Sequence, residues 1–196
     1  MRLMTSSWNW KQLLSLVFLL ASSSAWGMAR ARGGLKHIHL YMHETFTGPN
    51  ATLFAVVPPL GDRTRFGMVG VLDDELRDGP DPSNSSLVGR FQSLFAFAGL
   101  VTPPGMQTVT NLVFTAGEHA GSMLVMVGSI VSSEGPYETA VVGGTGAFRM
   151  ARGYCVLKAV WSPTPVSTVY EVNLLVKMER ILLAKMDASK LETLLA

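Results

Sequence analysis

Two side chains in this sequence are of a type and spacing that could do chemistry. The first is Glu44, at the end of Lys36-His37-Ile38-His39-Leu40-Tyr41-Met42-His43-Glu44. Side chains alternate across a β-strand, so Ile38, Leu40, Met42, Glu44 and Phe46 share one face and His37, His39, Tyr41 and His43 the other. The apolar face points inward and takes Glu44 with it. A carboxyl group in an apolar interior resists ionisation, which makes it a candidate proton donor near neutral pH. If the strand ends there, the same residue is an edge glutamate that reaches solvent. The second is Arg152, which shares a mostly apolar face with Phe148, Met150, Tyr154 and Val156. An inward guanidinium needs a carboxylate or phenolate partner, because an unpaired buried charge is strongly destabilising. Glu44 or Glu138 would supply one, either as a structural ion pair or as part of a site.

A metal is not expected. His37-x-His39-x4-Glu44 resembles the core of the cupin metal motif, and its donor types would suit a manganese-like ion. The glycines that should flank that motif sit at the wrong distances, and its second half is absent. His119 stands alone in Gly117-Glu118-His119-Ala120-Gly121, and ligands on opposite strand faces would need a bulge. A solvent-facing histidine row is the reading, with no metal and no cofactor. Cys155 is the only cysteine. It excludes an internal disulfide and reads as a small buried apolar residue rather than a nucleophile.

The elements that must position these groups are strands. From Lys36 onward, short apolar runs rich in Val, Ile, Phe, Thr and Tyr alternate with Gly, Pro, Asn and Asp. Strands are expected at 36–46, 51–57, 65–73, 88–98, 109–115, 122–131, 148–161 and 168–179. Between them lie turn sequences such as Pro58-Pro59-Leu60-Gly61-Asp62 and Gly143-Gly144-Thr145-Gly146, the latter with glycines able to take positive φ. Evenly spaced strands without helical periodicity mean an all-β sandwich or barrel. Residues 180–196 differ: Leu182, Leu183, Met186, Leu191, Leu194 and Leu195 read as a short amphipathic helix or a loose tail.

Composition sets the class. The chain has 196 residues, enough for one domain, with 48% hydrophobic and 15% charged residues, which excludes a disordered chain. The net charge is +2 with no basic run, so no nucleic-acid partner is expected. Arg2, Lys11, the apolar run Leu13–Ala21 and the small residues Ala25 and Gly27 form a signal peptide pattern over 1–27, with cleavage near Gly27. That run is too short to cross a bilayer, and no membrane association is expected. The mature domain is then 28–179, followed by the 180–196 tail. Sequons at Asn50-Ala51-Thr52 and Asn84-Ser85-Ser86 lie in turn-rich stretches of this exported chain and are candidate glycosylation sites.

The segment Val141-Val142-Gly143-Gly144-Thr145-Gly146-Ala147-Phe148-Arg149-Met150-Ala151-Arg152-Gly153-Tyr154 closely resembles the dirigent family of plants. So, in order, do His39–Glu44, Phe66–Asp74, Val88–Ser93 and Tyr170–Asn173, and the resemblance spans about residues 35–178. It implies an eight-stranded antiparallel β-barrel of the dirigent and allene oxide cyclase kind, secreted to the apoplast as a homo-oligomer, a trimer or a dimer. Lignan-forming members hold phenoxy radicals, such as those of coniferyl alcohol, that a separate extracellular laccase or peroxidase has made, and so direct the coupling without oxidising anything themselves. Other members catalyse dehydrative cyclisation in isoflavonoid metabolism. By position, the resemblance makes Glu44, Arg152 and Glu138 the catalytic candidates and Phe95 and Phe97 the ligand-binding walls. Phe95 and Phe97 replace tyrosines, Ala147 replaces an acid, Glu44 replaces an aspartate, and the family's cysteine pair is missing. These departures are similar to the broad defence-associated branch. The functions expected are stereochemical direction of phenolic coupling, acid-catalysed cyclisation, or phenolic binding in the cell wall without chemistry.

Overall fold

The structure, a computed structural model, describes residues 34–61, 65–101, 105–131 and 135–178. The expected signal peptide and the 180–196 tail lie outside them. Nine strands form one antiparallel sheet: β1 (Leu35–Thr45), β2 (Leu53–Val57), β3 (Val69–Arg77), β4 (Leu87–Phe97), β5 (Met106–Phe114), β6 (Met123–Ile130), β7 (Tyr137–Thr145), β8 (Arg152–Thr164) and β9 (Ser167–Lys177). Their order is β1-β9-β8-β7-β6-β5-β4-β3-β2, and a further pairing of β1 with β3 closes the sheet.

The closed barrel has eight staves, because β1 and β2 make one stave between them. Both run antiparallel to β3. The end of β1 pairs with the C-terminal half of β3, from Tyr41–Arg77 to His43–Glu75, and β2 pairs with the N-terminal half, from Leu53–Leu72 to Val57–Val69. Residues 46–52 loop out between them.

The expected eight-stranded barrel is therefore present, with its staves assigned differently. The sequence reading counted 36–46 and 51–57 as two staves and had no strand at β7. Gly143 and Gly144 were taken for a turn, yet they sit inside β7, opposite Val125 and Leu124. Their small size answers close approach: a Cβ on Gly144 would lie 2.3 Å from the Met123 carbonyl oxygen. The chain turns only at Gly146, whose φ is +58°. A single 3-10 turn over Gly146–Phe148 and Met150 at φ +61° follow before β8 begins.

The two ends of the barrel differ. At the end carrying this turn, inward residues such as Leu76, Leu112, Leu124, Val172, Leu174 and Val176 fill the interior completely. Each such side chain contributes roughly 1.5–3 kcal/mol by leaving water. Phe114, His119 and Phe148 stack beneath them with ring centroids 4.7–5.6 Å apart, and no disulfide is needed. At the other end the inward residues line a cavity instead. Outside the barrel, Phe54, Val71, Leu94, Val109 and Val127 are exposed and stand in cross-strand register, making an apolar row across β2 to β6.

Backbone contact around the barrel makes one test direct. A Cβ added to Gly153 would sit 2.0 Å from the Leu175 carbonyl oxygen on β9. Gly153→Ala should therefore destabilise the fold by about 1–3 kcal/mol, read as a lower urea midpoint at unchanged slope. Gly34→Ala, where a Cβ meets nothing within 4 Å, should leave the midpoint where it is.

Candidate active site

Two carboxyl groups are buried near one another, Glu44 on the cavity wall and Asp74 behind it. Extending the register of Met42 with Leu76 and His43 with Glu75 by one step brings Glu44 level with Asp74, close enough for the Glu44 charge to act on Asp74. Glu44 is inward for the reason its sequence pattern gives: it follows Ile38, Leu40 and Met42, all buried, and is itself only 6% exposed. It lines a cavity of about 640 Å³ in the open half of the barrel. Asp74 is inward because it alternates with Gly70, Leu72 and Leu76 along β3, and it is fully buried.

Burial sets the protonation of both. Glu44 is pushed up to about 7 by loss of solvent, against a smaller opposing effect from the Tyr170 hydroxyl that donates to it. Asp74 is pushed up to about 8, again chiefly by burial, with the nearby Glu44 charge adding to the rise. Neither Asp74 oxygen has a hydrogen bond of normal geometry among the described residues. The Thr52 hydroxyl approaches and offsets a little of the cost, but it already receives the Thr45 N–H at 2.9 Å and donates to the Thr45 carbonyl at 3.4 Å. Tyr170 is itself held above the ordinary tyrosine range by burial and by these carboxylates. Near neutral pH Glu44 is thus poised between acid and anion, and Asp74 behind it holds its proton more tightly.

The remaining walls suit an aromatic guest. Phe95 and Phe97 line the cavity and meet edge to face, with centroids 6.1 Å apart. Gly70 makes room for this, since a Cβ there would lie 2.1 Å from the Phe95 ring. At the mouth Arg65 sits 5.4 Å above the Phe97 ring, a cation–π contact. Met42, Met68, Met106 and Met126 give the lining adaptable, polarisable surface. A short hydroxyl strip, Ser93 to Thr110 at 2.8 Å and Thr108 beside it, adds a few polar groups to the same β4–β5 wall as Phe95 and Phe97.

The other expected residues lie elsewhere. Arg152 faces outward, and its guanidinium donates to the Val142 and Ala151 carbonyls rather than to an acid. The alternation counted back from Phe148 does not carry through, because the 3-10 turn and Met150 reset the frame before β8. Glu138 is exposed on the outer face of β7. Neither meets Glu44 in the cavity. His37 and His39 are exposed on the outer face, hydrogen-bonded to Asn173 at 2.9 Å and Glu171 at 2.7 Å. Cys155 is buried and pushed up to about 12. Asn50 and Asn84 lie on exposed turns.

Asp74, Tyr137 and Tyr170 were missed as cavity or near-cavity residues. The signal for Asp74 was present: extending the third strand beyond residue 73 puts Asp74 on one face with Leu72 and Leu76. Tyr170 was equally legible from its alternation with Val172, Leu174 and Val176.

A family model described as Dirigent-like protein matches residues 35–177, the whole barrel. The chain belongs to the dirigent family. Dirigent protein 1 of Arabidopsis thaliana is 35% identical over 173 residues, covering 84% of this chain and 93% of that protein. Pterocarpan synthase 1 of Glycyrrhiza echinata is 39% identical over 126 residues, covering 62% of this chain and 66% of its own length, just under two thirds. The solved structure of the pterocarpan synthase dirigent protein PsPTS1 superposes with a TM-score of 0.66 at 32% identity, over 74% of this chain and 96% of that one. This dirigent barrel thus shares its fold with a pterocarpan synthase dirigent protein.

The raised carboxyl groups predict how stability depends on pH. Each binds its proton more tightly in the fold than in the open chain, so its contribution is full below its ordinary value, 4.5 for Glu44 and 3.8 for Asp74. It is lost as pH rises through about 7 and about 8 respectively. At about 1.4 kcal/mol per unit, the pair should cost the fold several kcal/mol by the top of that window. Urea titrations at stepped pH should show the decline, and Glu44→Gln with Asp74→Asn should flatten it.

Proposed function

We propose that this dirigent barrel binds a planar phenolic molecule and promotes its ring closure by acid catalysis, with Glu44 as the proton donor. The observation that carries the reading is a buried carboxyl group, held near neutral in its proton affinity, on the wall of a cavity lined mainly by aromatic, aliphatic, methionine and hydroxyl side chains. The pterocarpan synthases among its relatives support the same chemistry.

The steps balance without an oxidant or a cofactor. Glu44 gives its proton to a benzylic hydroxyl, the C–O bond breaks and water leaves. The electron-rich ring stabilises the cation, which is the protonated form of a quinone methide. A second phenol oxygen on the same molecule attacks that carbon, and its proton returns to the Glu44 carboxylate. Phe95 and Phe97 hold the rings in the attacking geometry, which is control by orientation. The closed end and apolar walls exclude bulk water that would compete for the cation.

A second reading is that the cavity orients two phenoxy radicals made by a separate oxidase. Its volume of about 640 Å³, near the middle of the ordinary ligand range of roughly 300–1,000 Å³, is compatible with this reading too. Export to the apoplast and glycans at Asn50 and Asn84 go with either reading. So does association of copies through the apolar row from Phe54 to Val127, whose size and continuity fit a subunit interface.

The deciding assay mixes purified mature protein with a hydroxyisoflavanol whose phenol can close onto the carbinol carbon, with no oxidant present. One enantiomer of the closed ring is expected. The rate should be flat in acid and fall as pH rises through about 7, where Glu44 loses its proton. Glu44→Gln should slow it about 10²–10⁴-fold. No closure, but one enantiomer of coupled product from coniferyl alcohol and a one-electron oxidant, would give the radical reading its place; neither would leave a binding protein. Separately, Leu94→Lys with Val109→Lys should turn an oligomer into a monomer in sedimentation.

A further inference from the structure

Asp74 has no part in the chemistry above, yet it is the most completely enclosed acid among the described residues. It does not line the cavity; it stands behind the wall, beside Glu44 across the three-rung junction of β1 and β3. Both its oxygens lack a hydrogen bond of normal geometry. Such a group is costly to keep unless something uses it, because an unpartnered buried polar atom forfeits the hydrogen bonds water would give. Its surroundings hold little charge to satisfy it. Arg90, on the outer side of the sheet, is already paired with Asp73 at 2.8 Å and bonded to the Asp73 carbonyl at 2.6 Å. Tyr170 from β9 is engaged with Glu44, and Tyr137 from β7 lies on the cavity wall near Tyr170. Among the described residues, the remaining titratable group acting on it from across the junction is Glu44 itself.

We propose that Asp74 is a positioning residue that stays protonated and donates its O–H to the Glu44 carboxylate formed when Glu44 gives up its proton. The inference rests on the ring-closing reading of the cavity. Two adjacent carboxyl groups in an apolar wall do not both ionise, because the second charge would meet the first in a medium of low polarity. The carboxyl that reaches the cavity, Glu44, is the one that cycles, and the enclosed one keeps its proton. A carboxylic acid facing a new carboxylate makes a short, charge-assisted hydrogen bond, about twice as strong as a neutral one. Before proton transfer that donor meets only a neutral carboxyl, a weak acceptor; after it, a carboxylate, a strong one. The interaction strengthens as charge develops, which lowers the barrier more than it tightens the ground state. Asp74 loses no proton over the cycle, since the phenol returns one to Glu44.

The full chain without substrate gives the decisive measurement. Carboxyl carbon-13 labelling of glutamate, with Glu44→Gln to assign the signal, reads the Glu44 titration midpoint directly. Asp74→Leu removes the donor, so the Glu44 midpoint should rise by roughly one to two units, the size of a hydrogen bond to a charged group. Asp74→Asn keeps a neutral donor of the same shape and should leave the midpoint near the parent value. A fall in either variant would mean that Asp74 is ionised and repels Glu44, and an unchanged midpoint in Asp74→Leu would mean the two do not interact; each overturns the proposal. Should Asp74→Leu fail to fold, Asp74→Ala, which also lacks the donor, takes its place with the same expected rise and the same overturning result. In the ring-closing assay Asp74→Leu should reduce kcat about tenfold or more at unchanged KM, and Asp74→Asn should restore it. A protein that closes no ring but shows the expected midpoints would count against the ring-closing reading and uphold the pairing of the two acids.

Discussion

The pairing of β1 with β3 covers three rungs, Tyr41–Arg77 to His43–Glu75, and it closes the sheet. Every other neighbour in the barrel is joined along a hairpin or a long ladder; this junction is short and joins strands separated by a looped excursion. The site depends on it. The same register that closes the wall brings Glu44 level with Asp74, and a slip of β1 by one residue would turn Glu44 to the outside while Asp74, held by the ladder to β4, stayed inward. Closure and acidity are one geometrical fact.

The division of the interior follows from side-chain size. Leucines, valines and Phe148 fill the closed half, and the open half is lined by longer, softer or kinked groups that leave space between them. Gly70 allows Phe95 to lie flat against the wall. The methionines conform to what enters, and the serine and threonine hydroxyls bond mainly to the sheet and to one another. The acids therefore work in a setting where few other polar groups compete for a guest's oxygens.

Much of this was legible in the sequence. Alternation from Ile38 to Glu44 gave the inward acid, and Phe95 and Phe97 fell on the cavity wall. The failures share one cause, which is the placing of strand boundaries. Stopping the third strand at residue 73 hid Asp74. Reading Gly143-Gly144 as a turn removed β7 and joined Phe148 to Arg152 in one false strand, which sent Arg152 inward. A glycine pair is ambiguous in sequence, because positive φ and close backbone approach both call for the missing Cβ. Only the neighbouring strand, with the Met123 carbonyl pressed against Gly144, distinguishes them.

The broken stave has a consequence for how such a barrel can change. β1 and β2 are each anchored to β3 by their own rungs, so the turn from Thr47 to Ala51, bonded within itself from the Ala51 N–H to the Gly48 carbonyl, sets neither register. Residues can be inserted or lost there without shifting either anchor. The half-stave bearing Glu44 and the half-stave bearing Leu53 at the rim are thus separately adjustable modules, and the shape of the entrance can diversify while the acid wall stays as it is.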